Sequence, residues 1–281
     1  MINKLRDFIP HSAKKKLQVT LIQANQLTAG WRVLPDFLII GAMKAGTSSL
    51  YQYLTEHPCV MRAIRKEIHF FNSHFSNGVH WYRTHFPIEM YKALVQKIHQ
   101  QNCVTGEASP NYIADPLVPE RVKQIIPQVK LIVLLRNPID RAYSHYNMAV
   151  RQGFETLSFE QALEIEPERL ASASMQNKIV NSDGFYSTLG IYLDQLNNWL
   201  KIFPREQFLF IKSEDFYTDP ANTLTQVFRF LDLPDFRLTH YKVYHKGEYT
   251  DMSAATKARL VAYFDPHNRR LEEKLGIKFN W

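Results

Sequence analysis

Short, nearly continuous apolar runs alternate along this chain with segments whose apolar positions recur at every third or fourth residue. That alternation predicts strands buried on both faces, separated by helices. Phe37 to Ile40 reads as one such strand, Val129-Lys-Leu-Ile-Val-Leu-Leu135 as a central one and Gln207-Phe-Leu-Phe-Ile211 as another. Cys103-Val-Thr105 is a shorter strand that delivers Glu107 at its end. Helices are expected from Ser48 to Leu54, over most of Trp81 to Gln101 with a break at Phe86-Pro87, over Pro119 to Ile126, after Pro138, and over Ser158 to Glu166. A long helix is expected from about Tyr186, with Leu189, Leu193, Leu196, Leu200 and Phe203 on one apolar face. Asp219-Pro220 opens a further helix carrying Leu224, Val227, Phe228 and Leu231. Strands alternating with helices imply an α/β fold, three layers (α/β/α) with a mostly parallel central sheet. Residues 1–34 stand apart as an N-terminal extension, in which His11 to Ala24 can form a short basic amphipathic helix; residues 35–281 form one domain.

The turn after the first strand carries the most specific chemistry. Gly41-Ala-Met-Lys-Ala-Gly46 has the glycine spacing of a phosphate-binding loop, but Thr47 stands where the lysine of a nucleoside triphosphatase belongs. The lysine has moved to Lys44, inside the turn. A strand, this turn and a helix beginning with Thr47, Ser48 and Ser49 present free backbone N–H groups and a positive helix end, which suits an anion. A second strand end is equally informative. Magnesium-dependent phosphoryl transfer wants a carboxylate there to hold the ion. This chain delivers Arg136 instead, followed by Asn137 as a cap and Pro138 in the first helical turn, with Ser144 two turns along. A guanidinium fork and a hydroxyl so placed can clamp a second phosphate.

Together these motifs resemble the sulfotransferases that use 3′-phosphoadenosine 5′-phosphosulfate, most closely the heparan sulfate branch and its bacterial relatives. The resemblance rests on Gly41-Ala-Met-Lys-Ala-Gly-Thr-Ser-Ser-Leu50, Lys66-Glu-Ile-His-Phe-Phe-Asn72, Gly106-Glu-Ala-Ser-Pro-Asn-Tyr112 and Leu134-Leu-Arg-Asn-Pro138 with Arg141-Ala-Tyr-Ser144. Asn198-Trp-Leu200 and the ending Pro266-His-Asn-Arg-Arg270 to Phe279-Asn-Trp281 extend it to the end of the chain. It implies that Lys44, Ala45, Gly46, Thr47, Ser48 and Ser49 bind the 5′-phosphosulfate, and that Arg136 and Ser144 bind the 3′-phosphate. It implies Glu67 as general base, Tyr186 near the nucleotide, and Lys246-Gly247 as a turn over the donor. Acceptor contacts are expected from Lys66, Phe71 and Glu107. His69 competes with Glu67, because imidazole titrates near neutral pH. If Glu67 is the base, an unperturbed carboxyl sets an acidic limb in the rate near about pH 4.3. Two departures stand out: Ala108 replaces a lysine of the glycan-sulfating members, and Tyr249 to Thr256 lacks their cysteine-linked loop.

Composition narrows the partners. Hydrophobic residues make up 45% and charged residues 22% of 281, which is globular rather than disordered. The formal charge of +7, from 34 basic and 27 acidic side chains, favours anionic partners. Zinc-finger spacing, an RNA-recognition motif and long basic runs are missing, so nucleic acid is not expected. Cys59 and Cys103 are the only cysteines; they read as two buried thiols, and no metal is expected. Without a signal-peptide-like start or a run of about 18 apolar residues, the expected location is the cytoplasm, with contact at the inner membrane face through residues 1–34 as a variant. The resulting expectation is sulfuryl transfer to a hydroxyl, less readily an amine, of a carbohydrate, glycolipid or small-molecule acceptor, with adenosine 3′,5′-bisphosphate as product. The alternatives are a noncatalytic nucleotide- or anion-binding module and a nucleotide-kinase-like enzyme.

Overall fold

The structure, a computed structural model, describes residues 11–172, 184–241 and 251–281. Its centre is a five-stranded sheet built from β1 (Phe37–Gly41), β2 (Val60–Arg62), β3 (Val104–Ala108), β4 (Lys130–Leu135) and β5 (Phe208–Lys212). The strand order is β2-β3-β1-β4-β5, and every pairing is parallel. Phe37 lies level with Gly106 on one side and Lys130 on the other, which aligns the carboxyl ends of the three central strands. All five β1 residues and the last five of β4 are buried, as the unbroken apolar runs require of strands covered on both faces. Each fully buried Phe, Leu, Ile or Val side chain contributes about 1.5–3 kcal/mol, an upper bound because unfolded chains are already partly collapsed.

From β1 the chain turns towards β3 and β2, whereas from β4 it runs on to β5. The topology therefore reverses between β1 and β4, and ligands of open parallel sheets bind outside the strand ends at such a point. α2 (Thr47–Leu54) follows β1 and packs with α11 (Pro220–Phe230); α5 (Val118–Ile125), α9 (Tyr192–Ile202), α6 (Pro138–Gln152) and α12 (Ala254–Leu275) pack with one another as the other group. Of the remaining helices, α1 is His11–Asn25, α3 Gly78–Arg83, α4 Glu89–His99, α7 Phe159–Glu164, α8 Glu166–Ser172 and α10 Ser213–Thr218.

Local signals explain most boundaries. Asn137 caps α6 by accepting from the Ile139 N–H at 2.9 Å, with Pro138 in the first turn, and Asp219 caps α11 in the same way. The break at Phe86-Pro87 separates α3 from α4. One expected boundary moves, and two elements gave no signal in the pattern. The helix expected from Tyr186 begins at Tyr192, after a 3₁₀ turn at Thr188–Gly190. β2 is an edge strand of three residues, too short to carry a periodic signal. α12 holds Pro266 in its interior, which hides it from pattern reading; packing of Leu260, Phe264, Leu271 and Leu275 offsets the proline. α1 lies on the body through Ile22, through Gln18 Nε2 to the Ile64 carbonyl at 2.8 Å, and through Asn25 Nδ2 to the Thr84 carbonyl at 2.7 Å.

Candidate active site

The loop from β1 to α2 is fixed from several sides. The Ala42 N–H donates to the Leu134 carbonyl at 2.6 Å, Ser213 Oγ to the Ala45 carbonyl at 2.6 Å, and Arg136 Nη1 to the Lys44 carbonyl at 3.1 Å. Lys44 sits at φ 71° and Gly46 at φ 99°. Only glycine suits the second position: a Cβ there would lie 2.8 Å from the Tyr217 hydroxyl as well as in left-handed backbone. Gly46 is also the N-cap of α2, so no side chain caps that helix, and its first turn carries no acidic residue. An uncapped helix start beside a lysine is an anion-binding arrangement.

Lys44 is a cation without a carboxylate partner among the described residues. Its Nζ lies 3.6 Å from Met148 Sδ. Burial lowers its pKa, and repulsion from Arg151, Arg136 and Arg141 lowers it further. Arg136, half-buried at the carboxyl end of β4, is oriented by Tyr192, whose hydroxyl donates to the Arg136 carbonyl at 2.8 Å. Ser144 is buried two turns into α6. Thr47 and Ser49 are buried, and Ser48 Oγ accepts from Lys66 Nζ at 2.5 Å.

Lys66 joins this loop to the candidate base. Its Nζ also pairs with Glu67 Oε1 at 2.6 Å, while His69 Nε2 stands 3.5 Å from Glu67 Oε2. Glu67 keeps 41% of its side chain exposed. Crowding raises its pKa, but the His69 hydrogen bond and the Lys66 charge outweigh that, leaving it at about 2. The carboxylate is therefore ionised throughout the neutral range, and the limb expected near pH 4.3 moves down. The same Lys66 that pairs with Glu67 ties it to the loop through Ser48.

Glu107 has a different place from the one expected. It has no exposed surface and takes four hydrogen bonds: Ser109 Oγ at 2.6 Å, the Tyr82 hydroxyl at 2.8 Å, the Tyr112 hydroxyl at 3.0 Å and the Ile68 N–H at 3.1 Å. Burial raises its pKa in spite of these donors. Because Ile68 follows Glu67 and the Ala108 N–H donates to the Lys66 carbonyl at 2.9 Å, Glu107 and its neighbours hold the Lys66-to-Ile68 segment in position. Phe71 is likewise fully buried, against Phe70, Tyr82 and Tyr112, so neither residue presents a surface to an acceptor. His69, at φ 55°, donates its N–H to Ser109 Oγ at 3.1 Å. Tyr186 is also enclosed: its hydroxyl donates to Glu155 Oε2 at 2.9 Å, its carbonyl accepts from Arg141, and it shows no surface to a nucleotide. Lys246 and Gly247 lie outside the described residues.

Tyr82, Ser109, Tyr112 and Ser213, which position the site, escape a linear reading. Ser109 and Tyr112 stand with Glu107 in the Gly106-to-Tyr112 motif, but nothing in that motif gave them this part. Among the described residues no cluster of three or more His, Cys, Asp or Glu side chains could hold a metal, and no helix is long and apolar enough to cross a membrane. Cys59 and Cys103 are buried free thiols.

Comparison with known proteins agrees with this geometry. Residues 34–259 match the family model described as a sulfotransferase domain. The chain is 29% identical to the membrane-associated sulfotransferase kil1 of Dictyostelium discoideum, over 88% of this chain and 66% of that protein. It is 31% identical to human heparan sulfate glucosamine 3-O-sulfotransferase 5, over 88% of this chain and 74% of that one. It thus spans about two thirds to three quarters of these relatives. The crystal structure of a sulfotransferase from Alicyclobacillus acidocaldarius superposes with a TM-score of 0.70 at 30% identity, covering 88% of this chain and 97% of that one. A lysine-bearing loop in place of a triphosphatase loop, a strand ending in arginine, and a match over most of the length place this chain in the sulfotransferase family.

Proposed function

We propose that this sulfotransferase uses 3′-phosphoadenosine 5′-phosphosulfate as donor and a hydroxyl, less readily an amine, of a carbohydrate or glycolipid as acceptor, with Glu67 as general base. The observation that carries this reading is Lys44, which has no carboxylate partner among the described residues, at the uncapped start of α2, whose Ser48 is linked through Lys66 to the carboxylate of Glu67. The residues fit the donor: Lys44, Ala45, Gly46, Thr47, Ser48 and Ser49 would hold its 5′-phosphosulfate, and Arg136 and Ser144 its 3′-phosphate. When bound, the donor supplies a sulfuryl group and leaves as adenosine 3′,5′-bisphosphate. Lys44 is placed to meet the charge that develops on the leaving phosphate, and the N–H groups of the helix start can share it. Glu67, at a pKa of about 2, is a weak base, so proton transfer must be late and orientation of the acceptor must contribute much of the rate. Lys66 positions that carboxylate, and His69 holds its other oxygen.

A carbohydrate acceptor is supported by the names of the heparan sulfate relatives and by the net charge of +7. Incubation with radiolabelled donor and a panel of glycans, glycolipids and simple alcohols tests the reading directly. Label transfer to a sugar-containing acceptor is expected. Tight binding of adenosine 3′,5′-bisphosphate with no transfer to any acceptor would favour the noncatalytic module. We propose in addition a peripheral membrane contact through α1 and the turn after it, where Leu17, Leu21, Leu27 and Trp31 are exposed close in sequence to Lys14-Lys-Lys16.

A further inference from the structure

Arg141 is, after Trp199, the largest fully buried side chain among the described residues, and it is charged. It is 1% exposed. Its Nη2 donates to the Tyr186 carbonyl, while Nε and Nη1 have no hydrogen-bond partner. No carboxylate among the described residues pairs with it. Glu166 acts on it only at a distance, with its oxygens already accepting from the Ser187 N–H at 2.8 Å, the Ser187 hydroxyl at 2.9 Å and the Thr188 N–H at 2.7 Å. Glu155 is taken by Arg169 at 2.6 Å and by Tyr186.

A guanidinium does not shed its proton at physiological pH, so this charge stays in the interior with two donor atoms unmet. Such a charge is costly unless something neutralises it. A pin for the Tyr186 carbonyl would need only a neutral donor. The position of Arg141 indicates what the charge is for. It lies in the first turns of α6, three residues before Ser144 on the buried side of that helix, and close enough to Arg136, at the end of β4, to feel its charge. Lys44 feels it together with Arg136 and Arg151. Lys44, Arg136 and Arg141 thus repel one another beside the switch point between β1 and β4, and none of them has a carboxylate partner among the described residues.

We infer that Arg141 is a positioning residue for the 3′-phosphate: an interior counter-charge beneath Arg136 and Ser144, left unpaired until the doubly charged group arrives. The inference rests on the donor reading given above. It predicts that the charge of Arg141 matters to the ligand-bound protein and not to the scaffold.

The test uses the full chain and compares Arg141→Gln, Arg141→Met and Arg141→Lys, with adenosine 3′,5′-bisphosphate and adenosine 5′-monophosphate as probes. Calorimetric affinity and melting temperature are read with and without each nucleotide. Arg141→Gln and Arg141→Met should lose roughly 10- to 100-fold in bisphosphate affinity, the range of a lost charged contact, and change little towards the monophosphate. Without nucleotide they should melt no lower than wild type, and the melting shift caused by bisphosphate should shrink. Arg141→Lys should stay within a few-fold of wild type. Neutral variants that bind bisphosphate like wild type, or lose affinity equally for both nucleotides, would overturn the inference. So would failure of both neutral variants to fold, because Arg141 would then belong to the scaffold. If wild-type protein itself fails to prefer bisphosphate, the donor reading falls first, a result distinct from any difference among the variants.

Discussion

Arg136 Nη1 donates to the Lys44 carbonyl, and the proposed mechanism gives the two side chains different charges to meet. In the proposed mechanism Lys44 meets charge that develops during transfer, so Lys44→Ala should cut turnover by roughly 10²- to 10³-fold while bisphosphate affinity falls only a few-fold. Equal losses in rate and binding, measured by single-turnover kinetics and calorimetry, would remove it from the reacting end. Arg136→Ala should instead weaken bisphosphate binding and abolish the preference for a 3′-phosphate over a free 3′-hydroxyl; unchanged discrimination would take Arg136 out of the site. Glu67→Gln keeps shape and much of the hydrogen bonding but cannot accept a proton. Turnover should drop by roughly 10²- to 10⁴-fold with bisphosphate affinity nearly constant. The pH profile adds an independent check. Glu67 titrates at about 2, held there by His69 and Lys66 against the opposing effect of burial, so it is already deprotonated above that value. Its protonation should impose no acidic limb on the rate between about pH 4 and 7. A limb near about 6.5, with His69→Asn more damaging than Glu67→Gln, would transfer the base to His69.

At the scale of elements, the segment leading into α7 and the helix α8 are tied together behind α6 by one carboxylate. Glu155 is 5% exposed and accepts from Arg169 at 2.6 and 3.2 Å, from the Tyr186 hydroxyl, and from the Leu157 N–H at 3.2 Å. Burial raises its pKa, but Arg169, the Leu157 N–H and Tyr186 together bring it from 4.5 down to about 2. A folded-state pKa below the unfolded one means stability that is fully present above about 4.5 and lost as pH falls through about 2. The shift corresponds to at most about 3 kcal/mol. Urea unfolding of Glu155→Gln should therefore show a deficit of that order at pH 7 that narrows steadily in acid. A gap independent of pH would mean that packing, and not ionisation, carries the effect. Because Tyr186 also receives Arg141, this network links the scaffold to the helix that bears Ser144.

For the whole molecule, the strand order matters more than any single residue. A strand order that reverses between the parallel strands β1 and β4 brings the Lys44 loop and Arg136 together, although 92 residues separate them. The surface carries a second, unrelated feature in Leu27, 90% exposed, and Trp31, 69% exposed, on the turn after the basic α1. Flotation with vesicles of anionic and of neutral lipid tests the proposed membrane contact. Binding to the anionic set should be lost in Leu27→Ser/Trp31→Ser, with transfer to a water-soluble acceptor unchanged; equal flotation of variant and wild type would refute the contact.

The sequence by itself determined the alternation of strands and helices, the glycine-bearing turn from β1 to α2 and the arginine at the end of β4. Each of these is written within a dozen residues, in apolar runs, glycine spacing and capping groups that act locally. It also named Glu67 and Lys66, through a motif whose members lie side by side. It did not reveal β2, too short for a period, or α12, whose Pro266 is tolerated only because tertiary packing offsets it. Nor could it assign Glu67 and Glu107, both acids on short segments near strand ends. Only the fold separates them: Tyr82, Ser109, Tyr112 and the Ile68 N–H enclose Glu107, while Lys66 and His69 leave Glu67 reachable. Tyr186 and Arg141 follow the same rule, because burial and hydrogen-bond partners are supplied by segments far away along the chain. Local chemistry sets which elements form, and the meeting of distant elements decides which charged groups stay open to a ligand.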